Sequence, residues 1–345
     1  MRYIHSNNIG LQEIVPCPQQ YADLAPVLGR YPFRLSPSYA KLIHKPGDPI
    51  WRQCVPDTRE LQDHEQIPDP LSESSLSPVT GLIHRYPDRV VLLVSNRCPV
   101  YCRFCMRKRM VGEGDAPLSR EGLERALEYI AAHGAIRDVV LSGGDPLMLT
   151  DESLHYLLGR LRSIGHIAII RIGTRVPVTF PERVTPALCA ILRQFHPLYI
   201  NTHFNHPAEI NALSSTACGM LADAGIPLGN QTVLLKEVND DVETMSALMT
   251  GLLSIRVRPY YIHQMDLVRG TAHFRTSVET GLDIIRGLRG HVSGLAVPHF
   301  VVDLPGGMGK VPLLPDAAER QGDTLYLTTY EGRRVAYRDI TAPRG

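Results

Sequence analysis

From Val90 onward, short runs of β-branched residues alternate with longer amphipathic stretches, and that alternation leaves few folds open. Candidate strands fall at 90–95, 138–142, 167–173, 198–203, 227–235, 259–264 and 297–303. Helix candidates lie between them, near 119–133, 151–163, 185–195, 207–224, 240–255 and 277–289. Ser119 and Thr150 stand at N-cap positions, and Thr185-Pro186 offers a cap followed by proline in the first helical position. Repetition at this spacing means βαβ units on a parallel sheet. Six such units cannot complete an eight-stranded barrel. The expected fold is therefore α/β, a partial (βα)6 barrel, with its chemistry at the C-terminal ends of the strands.

The flanks read differently. Residues 1–85 are rich in proline and lack strand periodicity, with helical patches at Gln19–Ala25 and Ser38–Ile43. Their apolar content is thin for a core of their own, so they form a helical lead-in. The stretch from Pro68 to Pro78 is turn chemistry and reads as a connector. Residues 324–339 alternate about Glu331-Gly332, which predicts a hairpin. The expected organisation is a lead-in at 1–85, a barrel at 86–311 and a hairpin extension at 312–345. Lys and Arg total 36 against 35 Asp and Glu, a formal charge of +1 that argues against a surface built for nucleic acid or anionic lipid. No apolar run approaches the roughly 20 residues of a membrane helix, and the N-terminus carries no apolar signal segment. A cytoplasmic protein is expected.

Seven cysteines in such a chain are a poor disulfide framework. Cys17, Cys54, Cys189 and Cys218 are scattered and expected as small buried hydrophobes. Cys98, Cys102 and Cys105 crowd into eight residues directly after the first strand. Zinc sites usually take four ligands as two distant pairs. Three close thiolates suit a cubane iron–sulfur cluster with one iron left open, against the blander reading of a zinc completed by a distant histidine. The second strand ends in Leu141-Ser-Gly-Gly-Asp-Pro146, where glycine lets a backbone approach a ligand. The last strand runs into Asp303-Leu-Pro-Gly-Gly-Met-Gly-Lys310. That lysine is either a point charge for phosphate or a Schiff-base amine, and residue chemistry alone leaves both open.

With His84-Arg-Tyr-Pro-Asp-Arg89, Asn201-Thr-His-Phe-Asn-His-Pro207, Gly229-Asn-Gln-Thr-Val-Leu-Leu235, Arg258-Pro-Tyr-Tyr261 and Gly270-Thr-Ala-His-Phe-Arg-Thr276, the chain resembles the lysine 2,3-aminomutases. These are radical S-adenosylmethionine (SAM) enzymes that use pyridoxal 5'-phosphate (PLP). The resemblance runs from about Ser38 to the final hairpin. It implies that Cys98, Cys102 and Cys105 hold a [4Fe-4S] cluster and that Lys310 forms the Schiff base with PLP. It puts Gly143, Gly144, Asp145, Asn201, His203 and Gln231 around SAM, and Arg85, Tyr86 and Arg89 around the PLP phosphate. It sets Arg107 on the substrate carboxylate and Asp266 and Asp303 on its distal ammonium. Plainer readings stand beside these: Arg89 paired with Asp88, Asp266 as a helix cap, and Arg107-Lys-Arg109 as a solvated basic face.

The implied reaction moves the α-amino group of L-lysine to C3, giving β-lysine, with an electron donor of flavodoxin or ferredoxin type. Alternatives within catalysis are glutamate or arginine as substrate, or β-lysine supplied for elongation-factor modification. A non-catalytic iron–sulfur protein is the alternative outside it. Longer family members carry a zinc-binding cysteine extension. No cysteine follows Cys218, so no zinc is expected and a homo-oligomer is left open. Phe104, His263 and Met308 depart from the family pattern.

Overall fold

Burial alternates along the first barrel strand: Val90, Leu92 and Val94 are buried and their neighbours less so. This is the period of two that a pleated strand imposes. The structure is a computed structural model describing residues 10–15, 18–63, 65–112, 118–322 and 324–337. Nine strands lie side by side in chain order: β1 (Leu82–Tyr86), β2 (Arg89–Ser95), β3 (Asp138–Gly143), β4 (Ile169–Gly173), β5 (Leu198–Thr202), β6 (Leu228–Leu234), β7 (Arg258–Gln264), β8 (His299–Asp303) and β9 (Lys310–Leu313). β2 through β8 pair parallel. β1 and β9 add antiparallel edges. The sheet is the partial barrel expected.

Six crossover helices connect the parallel strands: α1 (Arg120–Ala132), α2 (Asp151–Arg162), α3 (Pro186–Leu192), α4 (Ala212–Asp223), α5 (Val242–Ser254) and α6 (Val278–Leu288). Their starts follow the cap chemistry. Ser119 accepts from the Gly122 amide, Thr150 from Ser153 and Thr185 from Leu188, each satisfying a donor the first turn leaves unpaired. α2 buries Leu154, Leu157, Leu158 and Leu161, one stripe at helical spacing. Truncating any one to alanine would cost about 2–5 kcal/mol.

Three features depart from the sequence reading. β1 lies where no strand periodicity is evident, because Leu82 and Ile83 are buried together while the rest of the strand is half-exposed. β9 begins at Lys310 and turns back along β8, with Pro312 tolerated on a sheet edge. The tail is a three-stranded sheet rather than a hairpin: β10 (Ala318–Gln321) joins β11 (Thr324–Thr328) and β12 (Arg334–Tyr337). β10 is polar and fully exposed, so it leaves no amphipathic signal. Residues 338–339 of the expected hairpin lie outside the described residues.

Within the lead-in, Val27, Leu35, Tyr39 and Ile50 share one apolar core with the barrel strands. Cys54, Cys189 and Cys218 are buried as expected, while Cys17 lies outside the described residues. Among the described residues no helix is long and apolar enough to cross a membrane.

Candidate active site

The cysteine loop leaves the C-terminal end of β2 and is braced by the lead-in. The Tyr101 amide donates to the Arg34 carbonyl (3.0 Å) and the Arg103 amide to that of Gln53 (2.9 Å). Beneath it, the Arg103 guanidinium forks onto Glu60 at 2.9 and 2.6 Å, and Lys108 Nζ meets the same carboxylate at 2.6 Å. Burial pushes the Lys108 ammonium down to about 8, while it pushes the Glu60 carboxyl up. Arg103 and Lys108 reverse the latter and hold Glu60 below its usual range.

Cys98, Cys102 and Cys105 are free thiols, each partly exposed to the mouth of the barrel. Burial, and then the neighbouring Cys102, pushes the Cys105 thiol up to about 11. Burial, Asp145 and the other two cysteines likewise raise Cys98. The raised thiols of Cys98 and Cys105 call for a cation to make them thiolates. Among the described residues, no three His, Cys, Asp or Glu side chains converge closely enough to hold a single metal ion. Three free thiols gathered on one loop at a strand end would suit a cubane iron–sulfur cluster.

The glycines at the end of β3 bring two stretches of backbone together. A Cβ on Gly143 (φ +121°) would stand 2.2 Å from the Ser95 carbonyl oxygen, and one on Gly144 would stand 2.5 Å from the Arg97 backbone. They let two protein backbones touch, so that the Gly144 amide donates to Ser95 at 2.5 Å and Asp145 to Arg97 at 2.7 Å. The Asp145 carboxylate is likewise committed to protein. It accepts from the amides of Leu147, Arg175 and Val176 and from the Thr174 hydroxyl. Four protein donors hold this side chain, tying the loop after β3 to the loop after β4.

At the other side of the mouth, β8 and β9 carry Asp303 and Lys310. Lys310 Nζ lies 2.5 Å from Asp303 Oδ2, and Arg85 Nη1 lies 3.4 Å from Oδ1. His263 Nδ1 is also 3.4 Å from Oδ2. Burial raises the Asp303 carboxyl, but His263 and Lys310 outweigh it and hold the group well below the carboxylate range. The Tyr86 hydroxyl accepts from the Lys310 amide at 3.0 Å. Arg85 Nε and Nη2 are buried with no hydrogen-bond partner. Unpaired guanidinium donors beside a lysine suit the phosphate of PLP, because such a fork matches phosphate oxygens. Arg89 instead pairs with Asp88 at 2.9 Å and lies over the Tyr86 ring at 4.8 Å. A Cβ on Gly307 (φ +74°) would meet the Leu76 side chain at 2.5 Å and the Leu71 carbonyl at 2.8 Å. The connector thus lies directly on the lysine loop.

Arg107, Glu73, Ser142 and Asp266 lie between the two sides. Arg107 donates to the buried Glu73 carboxylate through Nε and Nη2, at 3.1 and 2.7 Å, and to Ser142 Oγ at 3.1 Å. It is thus a buried ion-paired group, not a solvated basic face. The Asp266 carboxylate makes no hydrogen bond or ion pair among the described residues. Burial and then Asp303 push it up to about 7, while Lys310 and Arg107 pull it down. Asn201 and Gln231 sit half-buried on β5 and β6. His203 Nε2 is 3.1 Å from Asn205 Oδ1, and burial and the nearby Arg175 depress its pKa well below the ordinary value.

One chain of neighbours joins the thiols to the lysine. Arg175 Nη1 donates to Cys102 Sγ at 2.8 Å and its Nε to the His203 carbonyl at 3.1 Å. His203 feels the charge of His263, which neighbours Asp303 and hence Lys310. A cavity of about 530 Å³ elsewhere is lined by Arg30, Tyr31, Lys108, Arg109 and Arg269. No cysteine lines it, and Lys108 and Arg109 are already ion-paired, so the chemistry belongs to the barrel mouth.

Sequence reasoning missed Glu73, Ser142 and Arg175. Arg175 sits two residues past β4, the same place in its βα unit that the cysteine and glycine motifs occupy in theirs. Treating every strand end as a candidate would have found it. Glu73 belongs to a turn-rich connector and carries no such signal.

A family model described as the radical SAM superfamily matches residues 92–248, and one described as lysine-2,3-aminomutase matches residues 285–342. The chain is 50% identical over 307 residues to the L-lysine 2,3-aminomutase of Clostridium subterminale, covering 88% of this chain and 74% of that protein. It is 48% identical over 335 residues to the L-lysine 2,3-aminomutase of Acetoanaerobium sticklandii, with coverage of 95% and 80%. The glutamate 2,3-aminomutase of Clostridioides difficile is 44% identical over 316 residues, with coverage of 91% and 75%. Near-half identity across most of both partners' lengths, with the thiol trio and the lysine loop at one barrel mouth, means that the chain belongs to the lysine 2,3-aminomutase family of radical SAM enzymes.

Proposed function

We propose that the protein moves the α-amino group of free L-lysine to C3, giving β-lysine, with a [4Fe-4S] cluster, SAM and PLP. Cys98, Cys102 and Cys105 would hold the cluster; Lys310 would hold PLP, with Arg85 and Tyr86 at its phosphate. When bound, the cluster and SAM supply a carbon-centred radical that removes a substrate hydrogen, and PLP carries the amino group as it migrates. The residues of this chain bind, orient and exclude water. Phe104, Leu235, Val238, Met265 and Phe274 form an apolar cluster packed against the partly exposed Cys102, limiting water on that side. Arg107, held by Glu73 and Ser142, would turn its remaining N–H donors to the substrate carboxylate. Asp303 holds the Lys310 ammonium in place.

The observation that carries lysine is Asp266. A half-buried carboxyl with no partner among the described residues is costly when ionised beside Asp303, and a ligand ammonium removes that cost. A glutamate side chain would set a second carboxylate against it. The reducing electron would come from a flavodoxin- or ferredoxin-type carrier, and thiols kept reduced for iron suit the cytoplasm. The test is anaerobic turnover of the reconstituted protein with lysine, glutamate and arginine separately. β-Lysine alone, formed in the lysine reaction, supports the reading. A β-amino acid formed faster from glutamate overturns it.

A further inference from the structure

The environment of the middle cysteine goes beyond holding iron. Arg175 is buried, with a side chain 8% exposed, and every direction of its guanidinium fork is used. Nε donates to the His203 carbonyl, Nη1 to Cys102 Sγ at 2.8 Å, and Nη2 to Glu209 Oε1 at 2.6 Å, Gln53 Oε1 at 2.5 Å and the Tyr39 hydroxyl at 3.0 Å. Its carbon centre also lies 5.2 Å from the Phe104 ring and 5.3 Å from that of Tyr39. The backbone of Arg175 is pinned by Asp145. Such a side chain cannot swing away. Its cationic face stands at the sulfur, and the compensating Glu209 carboxylate stands on the other nitrogen.

Resting on the proposed cluster, we infer that Arg175 is a positioning residue that sets the reduction potential of the iron–sulfur centre through its charged hydrogen bond to Cys102. The step it tunes is simple in balance. One electron leaves a reduced one-electron carrier, which is oxidised, and converts the cluster from the 2+ to the 1+ state; no bond or proton moves. That electron adds negative charge beside a guanidinium in a site screened by protein, so Arg175 stabilises the reduced state more than the oxidised one. Glu209, with the opposite sign and farther from the sulfur, works against it. Phe104 and His203 (ring centroids 5.6 Å apart) enclose the same sulfur environment.

The experiment is a redox titration of the reconstituted holoenzyme followed by visible absorbance and EPR, without turnover. Arg175→Met should disfavour reduction about tenfold, a fall of about 59 mV for a one-electron couple. Arg175→Lys should recover part of it, and Glu209→Gln should shift the potential upward. An Arg175→Met protein that loads its cluster with an unchanged potential overturns the inference. Should Arg175→Met fail to fold, pulsed EPR on the wild-type protein with ¹⁵N-labelled arginine decides. A nitrogen coupling to the reduced cluster supports the inference, and its absence overturns it. A wild-type chain that assembles no cluster fails at the earlier step and overturns the proposed function instead.

Discussion

The two sides of the barrel mouth handle polar groups in opposite ways. On the cysteine side, Arg103, Lys108, Glu60, Arg175 and Glu209 are buried and each is paired within the protein. On the lysine side, Arg85 keeps buried donors unpaired, and next to that side the half-buried Asp266 carboxylate has no partner among the described residues. Buried polar groups are ordinarily satisfied, so the contrast separates scaffold from binding surface. The saturated side fixes the sulfur positions, and under the proposed function the unsaturated side would be completed by phosphate and ammonium groups.

The largest effect expected from breaking this contrast is loss of the iron centre. Cys98→Ala, Cys102→Ala and Cys105→Ala should each reduce turnover to background and remove the iron–sulfur absorbance, leaving the far-ultraviolet circular dichroism intact. Next is the scaffold. Glu60→Gln leaves Arg103 and Lys108 buried without their counter-charge, and denaturant unfolding should show a loss of about 3–5 kcal/mol at neutral pH. The Glu60 carboxyl is held below its usual range in the fold, so its contribution is full above that range, declines beneath it and is lost as pH falls through the lowered folded value. The difference between wild type and variant should shrink accordingly in acid.

On the unsaturated side the effects are smaller and confined to ligands. Arg85→Met should weaken PLP binding about 10- to 100-fold, from roughly 1.5–3 kcal/mol for a charge-assisted hydrogen bond, with little change in thermal stability. Equilibrium dialysis of PLP measures the first and thermal unfolding the second; a large fall in melting temperature would assign Arg85 to the scaffold instead. The smallest effect is a pH dependence. Asp266 titrates near 7 and must be ionised to take an ammonium, so lysine binding should weaken as pH falls below that value. The apparent KM should rise by up to about tenfold per pH unit, a slope absent in Asp266→Asn.

Much of this was legible in the sequence, for identifiable reasons. Cap residues such as Ser119 and Thr150 act within their own turn, and the Val90–Val94 alternation acts within its own strand, so local chemistry located the helices and barrel strands. The cysteine trio was legible because its members lie close in the chain. The protein partners of Asp145, Thr174 and Arg175, were not legible because they are far away in sequence.

By itself, the sequence determined the order of βα units and the residue types gathered at the strand ends, because periodicity, capping and motif spacing are short-range properties of the chain. Which of those groups ended up spent and which ended up free was decided only when the strands came together. The Arg175 contact with Cys102 spans 73 positions and Glu60 to Arg103 spans 43, so these pairings exist only in the packed barrel. Whether a buried charge belongs to scaffold or to site depends on its partner, and burial makes an absent partner costly.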